Sequence, residues 1–319
     1  MPDIDAEKAH EPVMPTEVLE FLMPQNGGLL LVDATLGLGG HSEAILDSSP
    51  EARVIGIDQD NEALDLARTR LARFGSRISF FQGNFSGIGE IIENATKNSP
   101  DGILADLGVS SLQLDSESRG FSFRFDAALD MRMDADSGEQ TVAELLATIG
   151  QDDLANIIYK FGEERASRKI ARWIIEKRES GTPVLTTFEL ADLVRRAVRT
   201  NPKDKTHPAT RTFQALRIAV NGELDILEQF VSDSVDLLKT NGVLAIITFH
   251  SLEDRIVKHA FQRLAGRCQC PPRIPQCVCG AVKRVEILTR KPVLPGETEQ
   301  RENPRSRSAK LRACRKLEQ

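Results

Sequence analysis

Strand and helix signals alternate through the first third of the chain, and this alternation limits the possible folds more than any other feature. Apolar runs typical of buried parallel strands cover 29–33, 53–58, 78–81 and 102–106. Apolar or small residues at helical spacing lie between them, most clearly over 61–74. Four such units in succession predict an α/β protein with a doubly wound, mostly parallel sheet.

The middle of the chain shows helix signals alone. No strand pattern is present between about 135 and 208, where helices are predicted at 141–149, 151–161, 163–179 and 187–199. We therefore predict an all-helical insertion at 135–208 within the α/β domain.

The α/β pattern resumes after the insertion. We expect a long helix near 210–239, a strand at 242–249, a helix over 252–265, a strand near 283–289 and then a tail rich in Pro and Arg. The predicted α/β domain is thus formed by two segments, 1–134 and 209–319, on either side of the insertion.

Charge is distributed unevenly along the 319 residues, although the net charge is only −6. Residues 1–60 carry twelve acidic and two basic side chains, whereas 195–217 carry one acidic and seven basic, and 283–319 carry five acidic and eleven basic. An acidic front with two basic patches is compatible with a polyanionic partner that binds one side. Solvated charged helices and a solvated tail would give the same pattern, so charge alone leaves both interpretations open.

Composition argues against several classes of protein. No apolar run approaches the roughly 20 residues that a membrane span needs, and the acidic, polar stretch 1–12 does not resemble a signal peptide. We therefore expect a cytoplasmic protein with no membrane partner. Aromatic residues make up only 5% of the chain, so an extended platform for stacking nucleic-acid bases is not expected.

A glycine-rich loop, 33–41, lies between the first predicted strand and the first helix. Glycine lets the backbone approach a ligand closely, and doubly wound sheets bind nucleotides at this edge. The dinucleotide fingerprint needs a third glycine three positions after Gly39, where the chain has Ser42, a residue placed to cap the following helix. Without that glycine or a P-loop lysine, the loop suits a nucleotide-like ligand without phosphates, such as S-adenosylmethionine. An ordinary turn is the alternative.

Three further residues follow strands at the same edge of the sheet. Asp58 ends the second strand, 21 residues after Gly37, where a carboxylate can accept both ribose hydroxyls of an adenosine. Phe85, after the third strand, is placed to pack on an adenine, and Asp106, at the end of the fourth, is placed to hold an amino group. A helix cap for Asp58 and a core position for Phe85 are the alternatives.

Long ordered motifs extend along nearly the whole chain. They are HEPV at 10–13, DAT at 33–35, GGHS at 39–42, DGILADLGVSS at 101–111, RGFSF at 119–123, LDMRM at 129–133, HPATRTFQALR at 207–217, FHSLEDR at 249–255 and NPRSRS at 303–308. In these stretches the chain resembles the RsmH family, also called MraW, of bacterial 16S rRNA (cytosine-N4)-methyltransferases. Motifs of this length are far more specific than a glycine pattern.

The resemblance implies a Rossmann-like class I methyltransferase domain interrupted by a helical domain for RNA recognition. It implies N4-methylation of a cytidine in the decoding centre, with S-adenosylmethionine as cofactor and 16S rRNA or the small ribosomal subunit as partner; a homodimer stays open. The cofactor contacts of the family correspond to Gly39, Gly40, His41, Asp58, Phe85, Asp106 and Gln113.

The resemblance also indicates where the chemistry takes place. The amine of cytosine is a poor nucleophile because its lone pair is delocalised into the ring, and a hydrogen-bond acceptor would activate it and take up its proton. Amino-methyltransferases of this class place that acceptor on the loop after the fourth strand, which makes Asp106 and Ser110 the catalytic candidates. A role for Asp106 in holding the cofactor alone is the alternative. His250 is a further candidate at this edge, with a structural role as its alternative.

Four of the five cysteines form two C-x-C pairs, Cys268 with Cys270 and Cys277 with Cys279. Disulfides are not expected in a reducing compartment, and four thiolates this close in sequence can make a tetrahedral zinc site. The pairs are tighter than the usual C-x-x-C knuckle. A surface loop with reduced cysteines and no metal is therefore an equal alternative, and no metal is assigned from the sequence.

Three other functions are compatible with parts of the pattern. A methyltransferase that acts on a small molecule or a protein would not need the basic insertion. A nicotinamide-dependent oxidoreductase is disfavoured because the third glycine is missing. A non-catalytic RNA-binding protein with this fold would bind RNA without binding the cofactor.

Overall fold

The computed structural model of the chain describes residues 11–23, 29–198, 207–268, 270 and 278–318. It divides into two compact units, one formed by 1–108 with 224–319 and the other by 109–223. The second unit contains the predicted insertion, 135–208, and extends beyond it at both ends.

The strands, numbered in chain order, are β1 (Leu30–Asp33), β2 (Arg53–Asp58), β3 (Ile78–Gln82), β4 (Gly102–Asp106), β5 (Val243–Thr248), β6 (Val285–Ile287) and β7 (Lys310–Lys316). The helices are α1 (Pro15–Leu22), α2 (Gly40–Ser48), α3 (Asn61–Arg70), α4 (Ile88–Ala95), α5 (Ser111–Asp115), α6 (Val142–Thr148), α7 (Gln151–Gly162), α8 (Ser167–Glu179), α9 (Thr187–Ala197), α10 (Thr210–Asn221), α11 (Leu227–Leu237), α12 (Ser251–Leu264) and α13 (Glu297–Glu302).

The first unit is built on a seven-stranded sheet of order β3-β2-β1-β4-β5-β7-β6. The neighbouring pairs from β3 through β5 are parallel, and β7 is antiparallel to both β5 and β6. The order reverses between β1 and β4, which is the position where doubly wound sheets open a crevice for ligands. The prediction of a doubly wound, mostly parallel sheet is confirmed.

The sheet separates two apolar clusters of the first unit. Leu31, Leu104 and Ile247 belong to one cluster, and Val32, Ile103 and Ile246 belong to the other. The side chains of successive strand residues point to opposite faces, which is why adjacent positions of each strand join different clusters. Both faces are covered at the centre of the sheet, so the central strands β1, β4 and β5 are largely apolar, as the sequence indicated.

The tail of the chain differs from its prediction, because 310–316 is a strand inside the sheet rather than a basic tail. Leu311 and Ala313 are fully buried, and so is most of Arg312. The Nε of Arg312 donates to Oδ1 of Asp254, on α12, at 2.6 Å. This ion pair allows a basic segment to enter the sheet, since a buried charge needs a partner.

The prediction of a single helix near 210–239 is also wrong. The segment forms two helices, α10 and α11. Helix α10 ends at Asn221 and is followed by Gly222, whose φ of 59° lies in the left-handed region that favours glycine. The boundary between the two units falls immediately afterwards, at residues 223 and 224.

The described part of the second unit contains helices and no strand, as predicted, and has an apolar core of its own. Helices α6 and α9 begin with capping boxes, in which Thr141 pairs with Glu144 and Thr186 pairs with Glu189. The core also takes in Leu129, on the strand-free stretch before α6. This packing explains why the unit extends beyond the predicted insertion.

Among the described residues, we find no helix that is long and apolar enough to cross a membrane.

Candidate active site

Three carboxylates lie at the ends of neighbouring parallel strands in the first unit. Asp33 ends β1, in the centre, with Asp58 at the end of β2 on one side and Asp106 at the end of β4 on the other. In the register of the sheet, Asp33 pairs with Gly56 of β2 and with Leu104 of β4. Asp58 and Asp106 therefore each lie two residues beyond the position that pairs with Asp33. The carboxyl edge of the sheet is therefore acidic at its switch point.

The glycine-rich loop contacts one of these carboxylates directly. The backbone N–H of Gly37 donates to Oδ2 of Asp58 at 2.7 Å, and the N–H of Asp60 donates to Oδ1 at 2.9 Å. Gly37 and Gly39 have φ values of 52° and 81°, where other residues are strained. The structure thus brings the loop and Asp58 together, as the sequence predicted.

Helix α2 begins differently from the prediction. Its N-cap is Gly39, and Ser42 lies inside the helix, fully buried, with its Oγ donating to Oδ2 of Asp33 at 2.7 Å. Ser42 therefore holds a buried carboxylate in place instead of capping the helix. The adjacent His41 is also buried.

His41 and Asp106 form the second contact across the strand ends. The Nε2 of His41 lies 3.5 Å from Oδ2 of Asp106, which is an ion-pair distance rather than a well-formed hydrogen bond. The backbone N–H of Asp106 donates to Oγ1 of Thr35 at 2.6 Å, which ties the end of β4 to the loop after β1. His41 and Asp106, both predicted from the resemblance, are thus neighbours.

Burial and neighbouring charges shift the pKa values of Asp33, His41 and Asp58. Burial raises the pKa of Asp58 to about 6, against the opposing effect of the two backbone N–H groups. Burial also raises the pKa of Asp33, although His41 and Ser42 oppose it. Burial lowers the pKa of His41, but the contact with Asp106 and its charge outweigh burial, so that this pKa is raised overall.

Several buried polar atoms at this edge have unused hydrogen-bonding capacity. Among the described residues, neither ring nitrogen of His41 nor Oδ1 of Asp106 has a hydrogen-bond partner. Buried polar groups are normally paired, and unpaired ones are costly. A polar ligand at this edge would satisfy these atoms.

Phe85 follows β3, as predicted, and is half-buried. Its ring contacts that of Phe230, on α11, edge to face at a centroid distance of 4.9 Å. Asn84 accepts from the N–H of Ser86 and donates to Gln59 at 2.8 Å, which orients the turn before Phe85. The ring is thus fixed at the same edge of the sheet, while its contact with an adenine stays a prediction.

Ser110 and Gln113 lie in the second unit, where they form a capping box at the start of α5. The Oγ of Ser110 accepts from the N–H of Gln113 at 3.2 Å, and Oε1 of Gln113 accepts from the N–H of Ser110 at 3.1 Å. Gln113 is buried and donates to the carbonyl of Met133. Both side chains therefore have a structural role in the turn, alongside the functional roles predicted for them.

His250 caps helix α12. Its Nδ1 accepts from the N–H of Glu253 at 3.4 Å, and the carboxylate of Glu253 accepts from the N–H of Phe249 at 2.8 Å. This geometry matches the structural alternative for His250.

The sequence does not single out three residues that complete the edge. Asp33 ends a strand just as Asp58 and Asp106 do, and this shared position is the signal that would identify it. Thr35 lies in the DAT motif at 33–35, but nothing in that motif assigned the residue a role. Glu299 contributes a negative charge near His41 and accepts from the N–H of Met14 at 2.7 Å. It comes from the far end of the chain, so no local pattern predicts it.

A sheet of this order, with an acid at the end of β2 and a glycine loop after β1, defines the Rossmann-like class I methyltransferases, which use S-adenosylmethionine. The model of the MraW methylase family matches residues 7–317 of this chain, and the chain belongs to that family. The resemblance found in the sequence motifs is thereby confirmed.

Curated relatives match over nearly their whole length and are named ribosomal RNA small subunit methyltransferase H. The protein from Geobacter sulfurreducens is 50% identical over 311 residues, which cover 97% of this chain and 99% of the relative. The protein from Trichlorobacter lovleyi is 51% identical over 310 residues, with 97% and 98% covered. The protein from Fusobacterium nucleatum is 47% identical, with 97% of each covered.

Among solved structures, an rRNA methylase from Streptococcus thermophilus aligns with 95% of this chain and 94% of its own, at 11% identity and a TM-score of 0.39. A likeness this weak supports no conclusion about function.

The chain is therefore a methyltransferase, and S-adenosylmethionine is its cofactor. The alternatives of a nicotinamide-dependent oxidoreductase and of a non-catalytic RNA-binding protein are excluded. The residues at the strand ends fit this cofactor, because its ammonium and carboxylate groups match the unpaired acceptor of Asp106 and the nitrogens of His41. Its ribose hydroxyls match the carboxylate of Asp58, which can accept further hydrogen bonds.

Proposed function

We propose that the chain transfers a methyl group from S-adenosylmethionine to the N4 amine of a cytidine in the decoding centre of 16S rRNA. The observation that carries this proposal is the match of about half of all residues, along almost the full length, to relatives named ribosomal RNA small subunit methyltransferase H. The cytosine N4 position comes from the motif resemblance to the RsmH family. Its substrate places the reaction in the cytoplasm.

The cofactor supplies an electrophilic methyl group on a sulfonium, so that alignment of the target is the main task of the enzyme. We assign its binding to Gly39, Gly40, His41, Asp58, Phe85, Asp106 and Gln113. In this assignment Asp58 accepts from the ribose hydroxyls, and Phe85 packs on the adenine. The glycines keep the loop clear of side chains.

Asp106 is the first candidate for the acceptor of the target amine. Its Oδ1 has no hydrogen-bond partner among the described residues, whereas Oδ2 faces His41. A carboxylate with one oxygen held and the other available can accept from the amine and take up its proton after transfer. The contact with His41 also supports the alternative, in which Asp106 serves the cofactor alone.

Ser110 is the second candidate, four residues after Asp106. Its hydroxyl oxygen accepts from the N–H of Gln113, so its own proton stays available for donation. A hydroxyl held in this way accepts less readily from the target amine than a carboxylate does. We therefore rank Asp106 above Ser110 as the proton acceptor.

The helical unit is the proposed site of RNA docking. Arg195 and Arg196 are exposed at the end of α9 and share the carboxylate of Asp192, at 2.6 and 2.9 Å. Arg199, in the same basic patch of the sequence, lies outside the described residues. Exposed guanidinium groups on a helical surface suit contacts with phosphates.

The substrate is tested by mapping methylated cytidines in 16S rRNA from cells that lack the protein and from cells that carry it. We expect one N4-methylcytidine of the decoding centre to depend on the wild-type gene. An unchanged pattern, or loss of a methyl group from a small molecule or a protein instead, would contradict the proposed substrate.

The role of Asp106 is tested with Asp106→Asn at saturating cofactor. We expect a loss of transfer rate that exceeds the loss of cofactor affinity, because the acceptor acts in the transition state.

The same variant should also lower the pKa of His41, because it removes the negative charge that faces the imidazole, and NMR titration of the imidazole measures this. If saturating cofactor restores the full rate, Asp106 only holds the cofactor, and Ser110→Ala should then show the larger rate defect. Normal rates for both variants would exclude both assignments.

A further inference from the structure

Cys268, Cys270 and Cys279 lie between α12 and β6 in the first unit. An antiparallel bridge pairs Ala265 with Lys283, and the N–H of Arg284 donates to the carbonyl of Leu264 at 2.7 Å. The chain before Cys268 is thus joined to the chain after Cys279. Val278 and Val282 are 78% and 63% exposed, so these described residues gain little from apolar packing.

The sulfur atoms of these three cysteines lie close together. The sulfurs of Cys268, Cys270 and Cys279 all lie within 4.8 Å of one another, and those of Cys268 and Cys279 are 3.8 Å apart. A zinc ion bound tetrahedrally at Zn–S distances of about 2.3 Å holds its sulfurs about 3.8 Å apart. A disulfide would need about 2.05 Å. The observed spacing therefore matches shared metal ligands rather than a disulfide.

Backbone N–H groups contact two of these sulfurs. The N–H of Cys270 points to the sulfur of Cys268, and the N–H of Val278 points to the sulfur of Cys270, each at 3.4 Å. These contacts help to fix the positions of the two sulfur atoms, as a preformed metal site requires.

We propose that Cys268, Cys270 and Cys279 bind a structural zinc ion that links the chain after α12 to the chain before β6. Thiolates are soft ligands that suit zinc, and three of them occupy three positions of a tetrahedron, which leaves the fourth to another donor. Two C-x-C pairs are tighter than the usual knuckle, but the convergence of the sulfurs shows that this spacing still brings ligand atoms together. This site shares no residue with the proposed cofactor site.

The test is the zinc content of the full-length protein, purified without chelators or a metal-binding tag and dialysed against metal-free buffer. We expect about one zinc per chain by mass spectrometry, and an at least roughly tenfold lower content in the double variant Cys268→Ser/Cys279→Ser. Cys314→Ala is the matched control, because Cys314 is fully buried in β7 and burial raises the pKa of its thiol. This control should keep its zinc. Cys277, which lies outside the described residues, is left unchanged in every variant.

A second measurement separates loss of metal from loss of fold. Cobalt added to the metal-free wild type should give the charge-transfer absorption of cobalt–thiolate bonds, and the double variant should not, although both show the same far-ultraviolet circular dichroism. The proposal is overturned if the wild type binds no zinc when it is supplied, or if the double variant retains as much as the wild type. Iron with acid-labile sulfide in place of zinc, or a disulfide between Cys268 and Cys279 in protein prepared without oxygen, would overturn it as well.

Discussion

Asp58, which we propose binds the cofactor, is the residue through which we expect pH to affect that binding. Its carboxylate is held by the N–H groups of Gly37 and Asp60, yet burial raises its pKa to about 6. Hydrogen bonds from a ribose diol would stabilise the ionised carboxylate, so cofactor binding should lower the pKa of Asp58. Below about pH 6 the carboxyl group is mostly protonated, and it must lose its proton when the cofactor binds. Well above pH 6 it is already ionised, and binding releases no proton.

We predict that the affinity for S-adenosylmethionine is constant above about pH 7 and falls at lower pH, by up to about tenfold per unit below pH 6. Asp58→Asn should weaken binding at pH 7.5 by roughly 1.5–3 kcal/mol and should remove most of the pH dependence. Calorimetry between pH 5 and 8 measures both effects. Glu62→Gln, which removes a nearby exposed carboxylate, is the control and should behave as the wild type. A pH profile unchanged by Asp58→Asn would assign the titration to another group, such as His41.

The turn between β1 and α2 depends on two glycines with similar backbone conformations and different surroundings. A Cβ at Gly37 would have no atom within 4 Å, whereas one at Gly39 would lie 2.7 Å from Cδ1 of the buried Leu71. Comparing the two positions separates backbone strain from steric overlap.

We predict that Gly37→Ala lowers the free energy of unfolding by about 1–2 kcal/mol, the cost of a left-handed conformation for alanine. Gly39→Ala should cost a further 1–3 kcal/mol or so, because Leu71 must move within a packed core. Urea unfolding monitored by circular dichroism gives both values. If the two variants lose the same free energy of unfolding, the side chain of Leu71 can move away from the new Cβ without a measurable loss of stability.

The basic segment 310–316 is part of the fold because it forms strand β7. It pairs with both β5 and β6, and its residues Leu311, Ala313 and Cys314 are fully buried. Within the described residues, β6 pairs with β7 alone. Without β7, the edge of β5 would be exposed and β6 would lose its place in the sheet.

We predict that deletion of 310–319 abolishes cooperative unfolding or yields insoluble protein. Deletion of Glu318 and Gln319 alone, beyond the strand, should leave the unfolding transition unchanged. Thermal unfolding by circular dichroism distinguishes the two truncations. If the longer truncation kept the transition of the wild type and lost only RNA affinity, the segment would be an RNA-binding tail rather than a structural strand.

At the scale of the whole molecule, the chain forms two compact units, to which we assign different tasks. The first unit holds the sheet and the residues proposed to bind the cofactor, and the second is a helical body with its own core and exposed arginines. If the second unit docks RNA, its surface charges should affect RNA affinity without affecting cofactor affinity.

We predict that Arg195→Ala/Arg196→Ala weakens binding to small-subunit RNA and lowers the slope of log affinity against log salt by about 1.5, since two phosphate contacts are lost. Affinity for S-adenosylmethionine should not change. Arg68→Ala is the control, because Arg68 is also exposed and pairs with an acid three residues earlier, Asp65, but lies on α3 of the first unit. Fluorescence anisotropy at several salt concentrations measures the effect. Equal weakening by the control would place the RNA contacts outside the helical unit.

The sequence by itself determined the parts of this protein that depend on local patterns. Continuous apolar runs located β1 to β5, and helical periodicity located the helices of the insertion, because the pattern of apolar residues reports directly on burial within one element. Turn chemistry identified the glycine loop, and strand-end positions identified Asp58 and Asp106. The family motifs supplied His41, Ser110 and Gln113, whose assigned functional roles stay predictions.

Tertiary structure alone decided the features that depend on partners distant in sequence. The basic segment 310–316 is a strand because Asp254, on another element, neutralises Arg312 within the sheet. Ser42 binds Asp33 rather than capping α2, and His41 lies beside Asp106, because parallel pairing brings the ends of β1 and β4 together. Local periodicity contains no information on which elements pair or which charges meet, so these contacts emerge only when the chain is folded.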